Sequence, residues 1–309
     1  MASMHSPPAS LEKLLAPDEP PPFTEVRAHG GSDFVILVDH ASARIPRRLA
    51  DLGLPAAELE RHIAWDIGAL AVALLISEAL DAPLLAQNYS RLVIDCNRDP
   101  KVETSIPTVS EHTGIPGNIG LTETHRASRR REIFDPYHER IRTLLDTRAA
   151  AGRPTILIAQ HSMTDEFNGS RREMHAAVLY NRDRRFAGLV LDSLSRDPAL
   201  VVAENQPYFL SDATDYSIPV STDILDIMST NRGHGRATLT SSSGKRWDTT
   251  FKMSSSHCGA TGSAAQGRCC IVGDSCCPVV DCLTVFLLLR QRQVTECPIK
   301  KSGFIKCQQ

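Results

Sequence analysis

The chain has 309 residues, 42% hydrophobic and 23% charged, with a net charge of -2 at pH 7. That length suits one large α/β domain or two smaller ones, and the composition is ordinary for a soluble globular protein. No basic face is implied, which excludes nucleic acid as an expected partner.

Pro7, Pro8, Pro17, Pro20, Pro21 and Pro22 crowd the start of the chain. No charged start followed by an apolar stretch is present, so this is not read as a secretory signal. Residues 1–25 read instead as a flexible Pro-rich arm. Phe34–Asp39 is a short apolar run ending at His40, the pattern of a buried parallel strand with polar chemistry at its carboxyl end. Pro46–Leu54 reads as a turn, and Pro55–Glu58 can open a helix. Apolar spacing predicts a sheet-packed helix over Ile67–Leu80. Pro83–Leu85 and Arg91–Ile94 read as strands. Residues 99–122 form a loop rich in Pro, Gly and Thr. Such a long loop is usually functional or disordered.

Thr122–Ala150 is charged and helical in pattern. Thr155–Ala159 is a strand running into Gln160, His161 and Ser162. Ala176–Tyr180 is a further apolar run, Phe186–Arg196 a helix, and Ala199–Ala203 a strand. Alternating strands and helices predict an α/β fold with a mostly parallel sheet covered on both faces.

After Val220 the pattern weakens into Thr/Ser and low-complexity runs. Residues 1–220 hold Cys96 alone. The tail holds Cys258, Cys269, Cys270, Cys276, Cys277, Cys282, Cys297 and Cys307. A lone cysteine in the patterned part points to a reducing, cytoplasmic compartment. The apolar run Leu283–Leu289 is about half the ~20 residues a membrane span needs, so no membrane partner is expected. The chain thus divides into an arm (1–25), an α/β domain (26–220) and an atypical Ser/Cys-rich tail (221–309). Three accounts of the tail stay open: a frameshifted or misread stretch, a real alternative ending that abolished catalysis, and a cysteine-rich module; a disordered tail is also compatible with the composition. The paired cysteines lack the C-x-x-C spacing of a zinc site.

Polar clusters punctuate the patterned part. Asp39-His40 and Gln160-His161 both sit at strand ends, where α/β sheets bind ligands. Asp66 lies at a helix start, where it could cap the helix or bind a metal. Two strand-end histidines and a carboxylate make a common catalytic zinc set, leaving a fourth position for water. Arg91, Asp95, Asn97 and Arg98 flank the apolar segment Leu92–Ile94. Arginine suits bidentate carboxylate binding, while an Arg91–Asp95 ion pair is the plainer reading.

The stretches VDHASARIP (38–46), AWDIGA (64–69), NYSRLVIDCNR (88–98), IPGNIGL (115–121), PYH (136–138), AQHSM (159–163), VLYNRD (178–183) and ENQPYFLSDATDYSIPV (204–220) occur in order. Together they resemble the N-formylglutamate amidohydrolase family. The resemblance implies a three-layer α/β sandwich with a mostly parallel or mixed central sheet, like the zinc carboxypeptidases. It implies metal-dependent hydrolysis of the amide bond of a small N-acyl amino acid, such as N-formylglutamate, as in histidine degradation. His40, Asp66 and His161 are then the ligands of Zn2+ or another divalent metal. Asn97 and Arg98 grip the substrate carboxylate, with Arg91 and Arg172 as helpers. Relatives carry a general-base glutamate on a late strand. Here the only glutamate after Ser221 is Glu296, and its neighbours do not match. The competing expectation is a catalytically inactive relative that binds a metal or an acidic amino acid.

Overall fold

A computed structural model describes residues 13–207, 209–210, 215–217 and 224–231, the last segment through its backbone. Strand β1 (Phe23–Val26) leads to β2 (Phe34–Val38), a short helix α1 (Ala56–Leu59), helix α2 (Ala69–Leu80) and strand β3 (Leu84–Gln87). A small hairpin of β4 (Val109–Ser110) and β5 (Thr113–Gly114) precedes helices α3 (Glu123–Arg129) and α4 (Asp135–Ala150). Strand β6 (Ile156–Thr164) runs into a second small hairpin, β7 (Glu166–Phe167) and β8 (Ser170–Arg171). Strand β9 (Ala176–Tyr180), helix α5 (Arg185–Leu194) and strands β10 (Val202–Glu204) and β11 (Ile224–Asn231) follow.

The main sheet has the order β1-β3-β2-β6-β11-β9-β10. Strands β3, β2, β6 and β11 run parallel to one another, as do β9 and β10, while β1–β3 and β11–β9 are antiparallel pairs. The sheet is therefore mixed. β2 is buried along its whole length, as a strand covered on both faces must be. Helix α2 turns Ala69, Val72, Ala73 and Ile76 to one face of the sheet, where α5 adds Ala187, Val190, Leu191 and Leu194. Helix α4 turns Tyr137, Ile141 and Leu144 to the other face. Both sets follow the helical repeat. Alternate residues of β2 feed the two cores, Val35 and Leu37 on one side, Phe34, Ile36 and Val38 on the other. Two cores around one sheet make the three-layer α/β sandwich. Among the described residues no helix is long and apolar enough to cross a membrane.

Three readings of the sequence need correction. Residues 13–25, assigned to a flexible arm, are docked. Leu14 is buried, β1 pairs with β3, and the carbonyls of Pro20, Pro21 and Pro22 accept hydrogen bonds from Tyr89 Oη, Asn88 Nδ2 and the Asn88 amide. Proline lacks an N–H but keeps its carbonyl acceptor, so a Pro-rich stretch can still be held. Arg91–Ile94, read as a strand, is a run of turns. Its Leu92, Val93 and Ile94 are apolar because they enter the core. Finally, the sheet takes in residues 224–231, which lie beyond the boundary read at residue 220. Strand β11 sits between β6 and β9 and pairs along Ile224–Asn231 with Leu157–Thr164. Residues 232–309, including Glu296 and the eight late cysteines, lie outside the described residues.

The IPGNIGL stretch works as a clamp. The Arg129 side chain, 1% exposed, donates from Nη1 to Val93 O and Asn118 Oδ1 and from Nη2 to Gly117 O. Burial pulls its guanidinium down to about 10. Asn118 Nδ2 in turn donates to Leu92 O and Pro107 O. A Cβ on Gly117 would stand 2.8 Å from Leu52 Cα, so only glycine permits this approach. The clamp fixes the turn segment 90–98 to the core.

Ile227→Pro tests the placement of β11. Proline removes a ladder hydrogen bond from a central strand, and burying the orphaned partner adds to the loss. We expect a destabilisation of about 3 kcal/mol or more in urea unfolding. An unchanged midpoint would contradict the central position of β11.

Candidate metal centre

The carboxyl ends of β2 and β6 lie side by side. Leu37 pairs with Ala159, so continuing the parallel register places Asp39 beside His161 and His40 beside Ser162. Asp66 reaches the same point from the turn before α2. Its amide donates to His40 O and its carbonyl accepts from the Ala69 amide. Asp66 does not cap the helix. That position belongs to Gly68, whose φ of 83° is left-handed and suits glycine. The carboxyl group of Asp66 is turned to the histidines.

Asp66 Oδ2 lies 2.8 Å from His161 Nδ1 and 3.4 Å from His40 Nδ1, and it accepts from the Ser162 amide at 3.3 Å. The two imidazole rings are 5.2 Å apart. One potential ligand atom from each of His40, Asp66 and His161 lies within 4.8 Å of the others, and all three residues are buried. Ligand atoms around a tetrahedral zinc stand about 3.3 Å apart. The donor set and spacing fit such an ion.

An outer ring of groups backs these three. His40 Nε2 donates to Asp95 Oδ1 at 2.7 Å, and Asp95 Oδ1 also accepts from the Asn97 amide. Asp95 Oδ2 accepts from Arg91 Nη2 at 2.9 Å, and Arg91 Nη1 reaches Asp66 Oδ1 at 3.5 Å. On the other side His161 Nε2 lies 3.9 Å from Asp39 Oδ2, and Asp39 Oδ1 accepts from Tyr137 Oη at 2.7 Å. Burial and the Arg91 cation push the His40 pKa down, but Asp95 and Asp66 outweigh them and raise it. Burial would raise Asp66, yet the charge of His40 and the hydrogen bond from His161 hold it far below the usual carboxylate range. Burial likewise opposes ionisation of Asp95, and Arg91 and His40 overcome it. His40 thus lies between two carboxylates, with Nδ1 toward Asp66 and Nε2 toward Asp95.

The four expected substrate residues fall in different settings. Arg91 is paired with Asp95 and Asp66, as the ion-pair reading has it, but at a buried cluster. The side chain of Asn97 is engaged with the late segment: Oδ1 accepts from the Tyr216 and Ser217 amides, and Nδ2 donates to Asp215. Arg98 is 31% exposed, with Nη1 3.7 Å from Asp215 Oδ1. Arg172 leaves the β7–β8 hairpin, donates to Thr164 O and lies over the Phe167 ring at 5.0 Å. Asp39, Asp95 and Tyr137 were not singled out as site residues. The sequence signals for them were the adjacency of Asp39 to His40, the pairing of Asp95 with Arg91, and the place of Tyr137 in the PYH stretch.

The profile of the N-formylglutamate amidohydrolase family matches residues 32–221. The chain belongs to this family. A gene product of Agrobacterium tumefaciens with a crystal structure is 34% identical, at a TM-score of 0.68 over 71% of this chain and 88% of that one. An N-formylglutamate amidohydrolase from Ralstonia eutropha is 18% identical, with a TM-score of 0.52 over 88% of this chain and 98% of its own. At that identity the likeness concerns the fold. No curated protein sequence matches the chain. Both the AWDIGA and AQHSM stretches lie within the matched amidohydrolase region.

Asn97→Ala removes the acceptor for two backbone amides of the 215–217 segment. The expected cost is about 1–3 kcal/mol, read as a lower urea midpoint. Unchanged stability would show that this side chain does not hold the segment.

Proposed function

We propose that this amidohydrolase-family chain hydrolyses the amide bond of an N-acyl amino acid, with N-formylglutamate as the reference substrate, at a metal ion held by His40, Asp66 and His161. The observation that carries the proposal is the convergence of two histidine Nδ1 atoms on one buried carboxylate oxygen, Asp66 Oδ2. Two imidazoles and a carboxylate leave one tetrahedral position open, the arrangement of catalytic zinc sites. Zinc is the proposed metal.

A zinc ion bound there supplies a water of pKa about 7 and polarises the acyl carbonyl. The chain's own groups do the rest. Arg98, partly exposed beside the site, and Arg172, on the hairpin leaving β6, offer the two cations that a dicarboxylate requires. Arg91 and Asn97 serve the substrate at one remove: Arg91 balances Asp95 and Asp66, and Asn97 positions the 215–217 wall beside Arg98. Fixing the substrate carboxylate holds the scissile carbonyl toward Asp66 and the histidines, which lowers the entropic barrier to attack. A proton must pass from water to the leaving amine. The late-strand glutamate expected for this role has Glu296 as its only tail candidate, outside the described residues. The buried thiol of Cys96 suits the proposed cytoplasmic setting.

Two measurements test this reading. Purified protein should carry about one zinc and release formate from N-formyl-L-glutamate. His161→Ala should lose both. Zinc retained in that variant would sink the ligand set, and zinc without turnover in the wild type would leave a binding protein in place of an enzyme. Arg98→Ala should lower kcat/KM about 30- to 150-fold, the equivalent of losing about 2–3 kcal/mol of charge-assisted hydrogen bonding. Its zinc content should stay the same. Unaltered kinetics would remove Arg98 from substrate binding.

A further inference from the structure

Two carboxylates flank the histidine pair, and only one of them makes a hydrogen bond to its ring. Asp95 accepts from His40 Nε2 and is held in turn by Arg91. Asp39 is placed the same way on the other side. It continues the parallel register of β2 against β6 to the level of His161. It is 2% exposed, its Oδ1 accepts from Tyr137 Oη at 2.7 Å, and its Oδ2 faces His161 Nε2 at 3.9 Å. Among the described residues Asp39 Oδ2 has no hydrogen-bond partner. A buried carboxylate oxygen in that state is costly unless a donor or a cation is built up next to it. His161 Nε2 is the neighbouring group that can supply one.

We propose that Asp39, held by Tyr137, is the positioning carboxylate of His161, as Asp95, held by Arg91, is that of His40. Each carboxylate draws the proton of its histidine to Nε2. Each ring then presents an unprotonated Nδ1 to the point marked by Asp66 Oδ2. The two arms differ in strength. Asp95 is anchored by a guanidinium, and Asp39 by a neutral phenol whose buried hydroxyl is kept protonated. The inference rests on the metal-site reading, because a fixed Nδ1 lone pair has value only if something is bound there. Outer carboxylates of this kind fix the tautomer of a ligand histidine and raise its basicity.

The variant Asp39→Asn separates this role from packing. Tyr137 still donates to the Oδ1 position, so the amide nitrogen would face His161 Nε2. A donor there favours the wrong tautomer, with the proton on Nδ1. Zinc affinity, measured by competition with a fluorescent chelator, should fall about 10- to 100-fold. Tyr137→Phe should weaken it by about fivefold, and should add nothing in the Asp39→Asn background because it acts through Asp39. Thermal unfolding identifies the folded variants. Wild-type affinity in folded Asp39→Asn, with zinc lost from His161→Ala, overturns this inference and leaves the metal site standing. If Asp39→Asn does not fold, wild-type affinity in Tyr137→Phe overturns it. A wild-type protein that takes up no zinc overturns both readings.

Discussion

One carboxylate oxygen, Asp66 Oδ2, ties the carboxyl edge of the sheet together. It receives the imidazoles at the ends of two adjacent parallel strands and the backbone amide of Ser162, while the Asp66 backbone is bonded to His40 O. Strand β2, strand β6 and helix α2 therefore meet at one buried charge. Such a charge is tolerated only when it is paired and hydrogen-bonded, and the elements that surround it are arranged to do that. Gly68 makes this possible by taking over the start of α2, which leaves the Asp66 side chain to the histidines.

The surrounding polar groups form a graded balance. Three carboxyl groups, Asp39, Asp66 and Asp95, share two imidazoles and the Arg91 guanidinium inside a largely apolar core. The 90–98 segment that brings Arg91 and Asp95 into this balance has no strand pairing of its own. It is held by the buried Arg129 and Asn118, so a clamp among loops and helices stabilises the geometry of the site. Asn97 extends the same segment to the chain's late part through Tyr216 and Ser217. The site is thus supported by strand ends on one side and by a turn segment on the other.

Much of this was legible in the sequence. The continuous apolar runs of β2, β6 and β9 could only be buried strands, and the polar residues at their ends marked the crevice. The helical stripe of α2 was equally plain. Other features were hidden for physical reasons. Leu92, Val93 and Ile94 are as apolar as a strand because turns can also enter a core. Residues 13–25 looked unstructured because the docking of Pro20, Pro21 and Pro22 uses carbonyls, which every residue possesses. β11 was missed because Asp226 interrupts a short apolar run in a stretch where the family pattern had already ended. The functional sense of Asp66 could not be separated from helix capping until Gly68 was seen to cap. Asp39 and Tyr137 are far apart in the chain, and only the layering of α4 on β2 brings them together.

The central claim is that the histidine and aspartate side chains at the sheet's edge, and not the late cysteines, form the metal centre. X-ray absorption at the zinc edge of the metal-loaded full chain tests it most directly. The account predicts nitrogen and oxygen neighbours alone at about 2.0–2.2 Å, with the outer-shell scattering of two imidazoles. Sulfur neighbours at about 2.3 Å would place the metal on cysteine and contradict the account.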